Sequence, residues 1–168
     1  MRIAKNGDVR VSAPIGTPQR EVETFIKEHL EWIEAAQKRS VEHLERRNAF
    51  FGQLQLKTPI QRQEAVRSLN ALIEPLIEKH AAIMGVRPTR IHYRPMISRW
   101  GVCNTRERSI RFSTYLLLLP DWCVEHVVVH ELCHLLEPTH NTRFHALMDR
   151  YYPRWREARK HTRSIVQK

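Results

Sequence analysis

The run from Val127 to Leu135 constrains the fold more than any other stretch, because it sets two histidines and a glutamate among apolar residues. His130 and His134 are four residues apart, so on an α-helix both side chains project from one face in successive turns. Glu131 follows the first histidine, which completes an HExxH pattern. A helix that is apolar nearly all round is buried, and its polar side chains then need partners. A metal ion bound by both imidazoles would be such a partner.

The residues after this helix predict a third metal ligand. Pro138 biases Glu137 away from the helical conformation, so we expect the helix to end just after His134. The chain can then turn back and bring His140 to the same ion from a loop. Three protein ligands leave a fourth position open for water, which is the arrangement of catalytic zinc sites.

The residue types in this pattern indicate hydrolytic chemistry. One zinc ion held by the three histidines would lower the pKa of its bound water toward about 7 and polarise a carbonyl or phosphoryl oxygen. Glu131 would accept the water proton and later deliver it to the leaving group. A purely structural metal site has no use for a glutamate in this position. The alternative is a helix that happens to carry two histidines satisfied by other partners.

Length and composition place the chain among soluble globular proteins of one domain. Its 168 residues are 42% hydrophobic and 27% charged, which suffices for one ordinary core. Lysine and arginine exceed aspartate and glutamate by 28 to 18, so the formal net charge is +10. This excess favours contact with nucleotides, nucleic acid or acidic surfaces. A merely solvated basic surface is the alternative.

Cysteine usage and the N-terminal sequence predict a cytoplasmic protein with no membrane partner. Cys103, Cys123 and Cys133 are odd in number, and their spacing matches neither a disulfide framework nor a zinc ribbon. We therefore expect reduced thiols. Residues 1–11 lack the apolar core of a signal peptide, and no apolar run approaches the length of a membrane span.

Turn, capping and periodicity signals predict the elements around the metal helix. The first are a hairpin of Arg2–Lys5 and Val9–Ser12 around Asn6-Gly7, a helix from Thr17-Pro18 to about Asn48, and a connector at 49–57. A second helix runs from Thr58-Pro59 to Gly85, and Pro75 kinks or divides it. Strands follow from Arg90 and at Arg111–Ser113, then a helix capped by Asn141 or Thr142 and a basic helical tail, Arg154–Lys168. Gly101 lies in a strand-like segment, where glycine marks a bulge or a close approach by another backbone. An extended peptide could bind along such an edge, although a plain hairpin edge is the alternative.

Several of these segments together resemble the YgjP-like metallopeptidases, small zincin-fold proteins related to the SprT-like and minigluzincin groups. The resemblance rests on Arg99-Trp100-Gly101 with Cys103, the proline-led helix Pro120–Val129, and HEL-H at His130–His134 followed by a histidine, Arg143 and Phe144. It extends over nearly the whole chain, since Ser12-Ala13-Pro14 and Glu31-Trp32-Ile33 also look like that family.

The resemblance implies a fold and a set of site residues. The fold is an α+β, zincin-like single domain over residues 1–168, with a twisted, mainly antiparallel sheet packed on the metal helix and additional N-terminal helices. Residues up to about 57 form a hairpin and helix, and the remainder forms the metal-binding core. Zinc is bound by His130, His134 and His140, and Glu131 is the general base.

The sequence departs from the family pattern at two positions. Val102 stands where the family usually has serine, and His145 stands where it usually has an aromatic residue. His145 could therefore compete with His140 as a metal ligand or contact substrate. Candidates for an oxyanion stabiliser are Tyr93, Tyr151, Tyr152 and His145.

Three classes of function remain open on the sequence. The first is a peptidase acting on a peptide or protein, with Arg99, Trp100, Arg143 and His145 as candidate substrate-binding residues. The second is a nucleoside triphosphate pyrophosphatase, as at least one YgjP-like member is described to cleave uridine triphosphate, and Arg99 and Arg143 suit phosphates. The two arginines could equally be structural and pair with carboxylates. The third is a nucleic-acid-associated module, either a SprT-like protease or a protein in which metal only stabilises the fold.

Overall fold

The computed structural model describes residues 1–3 and 8–166, with the backbone alone at Val166. Contacts within the chain divide it into two compact units, Met1–Ala49 and Phe50–Gln167. No helix in the described part of the chain is long and apolar enough to cross a membrane.

The first unit contains a short hairpin and two helices. Strands β1 (Arg2–Ile3) and β2 (Val9–Arg10) pair antiparallel, while the predicted turn at Asn6-Gly7 falls outside the described residues. Helix α1 spans Gln19–Glu28, and α2 begins at Leu30 and continues to Gly52 in the second unit.

The single helix predicted from Thr17-Pro18 is therefore interrupted, and the break lies at His29. The backbone of His29 leaves the helical region, with φ at −113° and ψ at 15°. Its Nδ1 lies 2.8 Å from the carbonyl oxygen of Phe25, so the imidazole satisfies a carbonyl that the end of α1 exposes. Apolar spacing alone does not reveal this local hydrogen bond.

Helix α3, Pro59–Met84, has the start and end that its sequence predicts. Thr58 and Gln61 form a reciprocal capping box at its beginning, and Gly85 ends it in the left-handed conformation, with φ at 67°. Pro75 lies inside without dividing the helix. The flanking turns are anchored in the core by Leu69 and Ile77, so tertiary packing offsets the hydrogen bond that proline cannot make.

The sheet of the second unit is mixed. In the described residues it consists of β3 (Arg90–Arg94), β4 (Gly101–Asn104) and β5 (Ser109–Ser113) in the order β3-β5-β4. Strand β5 returns between its two predecessors, so it pairs antiparallel with β4 and parallel with β3. The expectation of a mainly antiparallel sheet thus holds for only one of the two strand pairs. Strand β4 lies at an edge, as the sequence suggests.

Helix α4, Asp121–His134, is the centre of the second unit. It contacts α3, β4 and the two helices that follow, α5 (Thr142–Tyr151) and α6 (Trp155–Val166). Its fully buried apolar residues are Cys123, Val124, Val128, Val129, Leu132 and Cys133. Burial on every side explains why this helix is apolar nearly all round. All three cysteines are free thiols, and Cys103 is only partly buried.

An ion pair joins α3 to α4. The Glu125 carboxylate lies 2.7 Å from His80 Nε2 and 2.8 Å from Lys79 Nζ. Burial acts to raise the pKa of Glu125, but the hydrogen bonds and charges of Lys79 and His80 outweigh it and hold the pKa below its ordinary value. A carboxyl group with a depressed pKa contributes stability above its unfolded pKa, and this contribution is lost as pH falls through the folded pKa.

We expect Glu125→Gln to lower the free energy of unfolding by about 1 kcal/mol at pH 7, because it removes the charge from these hydrogen bonds. The difference from wild type should shrink as pH falls below about 4, where the wild-type carboxylate is also protonated. Urea denaturation at several pH values measures both effects. Glu78→Gln is the control, because Glu78 and Arg87 form an exposed pair whose loss should change the free energy by less than about 1 kcal/mol. Equal losses in the two variants would contradict the expectation.

Candidate metal centre

Three imidazole nitrogens converge at the end of α4. His130 Nε2 lies 3.2 Å from His134 Nε2 and 3.1 Å from His140 Nε2. Tetrahedral coordination with zinc–nitrogen bonds of about 2.0–2.1 Å separates neighbouring ligand nitrogens by about 3.3 Å. The cluster therefore fits one zinc ion. The structure brings together the three histidines that the sequence identifies, within 4.8 Å of one another.

The segment after α4 holds the second and third histidines in place. The helix ends at His134, as Pro138 predicts, and the Glu137 backbone N–H donates to the Cys133 carbonyl at 2.9 Å. His134 Nδ1 lies 3.1 Å from the Glu137 carbonyl oxygen and donates its N–H there. This hydrogen bond fixes the tautomer that leaves Nε2 free to bind a metal. Asn141 then caps α5, its side chain accepting from the Phe144 backbone N–H.

Phe144 packs beneath all three imidazoles. Its ring centroid lies 4.9 Å from that of His130, 4.6 Å from His134 and 4.7 Å from His140. Only 1% of the phenylalanine is exposed. This apolar floor limits the orientations that the imidazoles can take, which preorganises them for a shared ligand.

The histidines are neutral, which is the form that binds metal. Burial, followed by the neighbouring histidines and Arg159, lowers the pKa of His130 to about 2. Burial is also the first cause of the lowered pKa of His134 and of His140. Lone pairs are therefore available at neutral pH without competition from protons.

Glu131 is buried beside this cluster, in a position suited to proton transfer. It is 4% exposed, and its Oε2 has no hydrogen-bond partner among the described residues. Burial raises the pKa of Glu131 to about 8, although the Cys103 backbone and the charge of Arg99 act to lower it. An unpartnered buried carboxylate oxygen is costly, so its position points to a group that the protein alone does not contain.

Gly101 in β4 makes room for this carboxylate. A Cβ atom at Gly101 would lie 2.4 Å from Glu131 Oε1 and 2.7 Å from Cγ and Cδ. The sequence predicts a close approach at this glycine, but the atoms that approach belong to the Glu131 side chain rather than to another backbone. The edge strand and the metal helix are therefore fitted to each other at the site.

A cavity of about 530 Å³ opens in front of the cluster. Its lining consists of Ser98, Arg99, Trp100, Gly101, His126, Val127, His130, Glu131, His140, Phe144, His145, Trp155, Arg159, Thr162 and Arg163. Three of the predicted substrate-binding residues, Arg99, Trp100 and His145, are among them. Arg143 is not, since it is exposed with its Nε 4.0 Å from Glu137 Oε2.

His145 lies in the cavity wall but outside the metal-binding cluster. Its ring stacks on Trp155 at a centroid distance of 5.1 Å and an angle of 11°. Its Nδ1 is buried and has no hydrogen-bond partner in the described chain. The geometry therefore favours His140 over His145 as the third ligand, and leaves His145 in the wall of the cavity.

The predicted tyrosine candidates do not reach the cavity. The Tyr93 hydroxyl donates to Asn70 Oδ1 at 2.9 Å, and the Tyr152 hydroxyl donates to the Trp122 carbonyl at 2.5 Å. Tyr151 is also absent from the lining. Sequence reasoning missed His126 and Arg159, which do line it. The spacing that links His130 to His134 also links His126 to His130, so the same rule could have found His126.

Gly101→Ala should destabilise the protein by about 1–3 kcal/mol, because the added methyl group overlaps a buried side chain that cannot swing into solvent. Zinc binding should remain, since none of the three nearest atoms belongs to a histidine. Gly52→Ala is the matched control: nothing lies within 4 Å of its Cβ position, and the substitution should be neutral or stabilising by up to about 1 kcal/mol. Urea denaturation measures the free energy of unfolding of both variants, and zinc titration measures their zinc affinity. Equal free energies of unfolding in the Gly101 and Gly52 variants would contradict the expectation.

His140→Ala should weaken zinc binding by more than about 100-fold, which is the upper effect of losing an outer hydrogen-bond partner alone. His145→Ala should leave one tightly bound zinc per chain, because His145 lies outside the cluster. Competition with a chromophoric chelator measures both affinities. A larger loss of zinc affinity in the His145 variant than in the His140 variant would mean that His145, not His140, is the third ligand.

Comparison with known families agrees with this geometry. The family model described as the YgjP-like metallopeptidase domain matches residues 1–62 and 53–164. Neither the curated proteins nor the solved structures include a match to the chain. The two matched ranges extend over nearly all of the sequence, and the chain belongs to the YgjP-like metallopeptidase family.

Proposed function

We propose that this protein is a zinc-dependent metallopeptidase in which His130, His134 and His140 hold the metal and Glu131 is the general base. The observation that carries the proposal is the buried carboxylate of Glu131, whose Oε2 has no hydrogen-bond partner among the described residues and which lines the same cavity as His130. The metallopeptidase family supports the same assignment.

When bound, zinc supplies a Lewis acid that polarises a carbonyl group and lowers the pKa of water toward about 7. Glu131 then takes the proton of the attacking water and gives it to the leaving amine. The raised pKa of Glu131 suits this role, because a base near the working pH both accepts and releases a proton readily. Gly101 leaves the carboxylate room, and the buried core around α4 prevents it from turning away.

The edge of β4 gives an extended peptide a place to bind. Strand β4 pairs with β5 on one side, and among the described strands it has no neighbour on the other. Main-chain hydrogen bonds to this edge would lay a substrate backbone beside Gly101 and Glu131. This arrangement favours cleavage of a peptide bond over cleavage of a compact substrate.

A second candidate is hydrolysis of a nucleoside triphosphate. The observation in its favour is the cationic lining of the cavity, where Arg99, Arg159 and Arg163 could bind phosphate oxygens. Arg143 adds nothing to this candidate, because it lies outside the lining.

Glu131→Gln should lower hydrolysis by about 10²–10⁴-fold while leaving the zinc content unchanged, because the amide keeps the shape of the side chain but cannot carry the proton. The measurement is a screen of peptides and nucleoside triphosphates with the zinc-loaded wild type and this variant. Peptide cleavage that depends on Glu131 supports the first candidate, and triphosphate cleavage supports the second. Full activity in the variant would exclude the proposed base.

A further inference from the structure

The charged groups that line the cavity are unbalanced. Guanidinium groups come from Arg99, Arg159 and Arg163, whereas within the described lining the carboxylates amount to Glu131 alone. Charges of one sign around a concave surface concentrate the electrostatic potential inside it and attract ions of the opposite sign. The cavity therefore favours an anionic ligand.

Three arginines outside the cavity are paired with acids. Arg87 pairs with Glu78, Arg154 with Glu157 and Arg156 with Asp149. For the guanidinium groups of the three cavity arginines, the described part of the chain supplies no hydrogen bond or ion pair. Their charges are thus available to a ligand.

The two walls that carry these arginines are tied together. Arg159 and Arg163 are four residues apart on α6, so they project from one face of that helix. The Trp100 indole N–H donates to the Thr162 carbonyl at 3.2 Å, which fixes this turn of α6 beside Arg99 and β4. The backbone segments that carry the three arginines are therefore held side by side, which lowers the cost of bringing their side chains to one anion.

The arginines lie near the reacting groups. His130, Glu131 and His140 line the same cavity as the three arginines. An anion held between them would lie close to the metal centre rather than at a distant surface.

Two buried imidazole nitrogens also lie in the cavity wall. His126 Nδ1 and His145 Nδ1 are buried without a hydrogen-bond partner among the described residues. Unsatisfied buried nitrogens in a cavity wall indicate that a polar ligand completes them.

We propose that Arg99, Arg159 and Arg163 form a carboxylate-binding subsite, which selects short peptides with a carboxylate close to the scissile bond. The inference rests on the proposed peptidase function and names its substrate class. Arginine binds carboxylates through parallel N–H···O hydrogen bonds, and a cavity of about 530 Å³ is in the range of sites for small ligands. The carboxylate is either the C-terminus of the peptide or an acidic side chain.

Calorimetric titration of the zinc-loaded Glu131→Gln protein tests the subsite without hydrolysis. The probes are N-acetyl-Ala-Ala, its C-terminal amide, and N-acetyl-Ala-Asp-amide. We expect at least one acid to bind about tenfold or more tightly than the neutral amide, which is the effect of one charge-assisted hydrogen bond. A preference for the first acid identifies a C-terminal carboxylate, and a preference for the second identifies a side chain. Equal binding of all three probes overturns the proposal.

Arginine variants separate the subsite from the metal. In the same background, Arg159→Gln and Arg163→Gln should each reduce the preference for the acid about tenfold. Lys160→Gln is the matched control, because it removes one positive charge from the same helix at a residue outside the cavity lining, and it should keep the preference. A preference that survives both arginine variants but disappears without zinc means that the carboxylate binds the metal, which also overturns the proposal.

The kinetics of the wild type separate this inference from the proposed function. If the acid and amide forms of one peptide are cleaved with equal kcat/KM, the peptidase function is supported and the carboxylate-binding subsite is contradicted. The opposite result is that no peptide is cleaved, while the protein still prefers the acidic probe and the arginine variants still lose that preference. This result contradicts the proposed peptidase function and supports the subsite.

Discussion

Burying the carboxylate of Glu131 against Gly101 is the constraint that the rest of the site depends on. Removing a carboxylate from water without full hydrogen bonding costs several kcal/mol, so surrounding structure must hold it in place. The apolar neighbours of α4 do so on the core side, and β4 does so on the other side by presenting no side chain at Gly101. Any larger residue at that glycine would move the carboxylate away from the histidines or push β4 away from α4.

The same packing arranges the remaining groups. Phe144 places α5 beneath the imidazoles, and the hydrogen bond from Trp100 to Thr162 joins α6 to the strand that carries Gly101. Trp100, at 8% exposure, also packs on Phe51 with ring centroids 6.0 Å apart. Trp100 is therefore mainly a core residue that positions the cavity wall, and only secondarily a surface that contacts substrate. This explains how one tryptophan can belong to both the core and the cavity lining.

Local signals in the sequence predict the parts of the structure that local chemistry determines. The ends of α3 follow from Thr58, Gln61 and Gly85, and the histidine cluster follows from helical spacing together with the stop at Pro138. What sequence could not predict depends on contacts between distant segments. The parallel pairing of β3 with β5, the contact between Gly101 and Glu131, and the position of Arg159 all result from tertiary packing. Arg143 shows the converse, since its nearness in sequence to the histidines did not bring it into the cavity.

The neutral histidine ligands leave the metal centre with a net positive charge, and the nearby arginines add to it. Three uncharged imidazoles would leave the double charge of a bound zinc ion uncompensated, unlike a site that contains a carboxylate or thiolate ligand. Glu131 is the one carboxyl group in the described lining, while Arg99, Arg159 and Arg163 add positive charge nearby. A site of this kind stabilises negative charge that develops on a reacting carbonyl oxygen. It also penalises cationic substrates near the scissile bond. Under the proposed function, the charge that favours the reaction also restricts which peptides can enter.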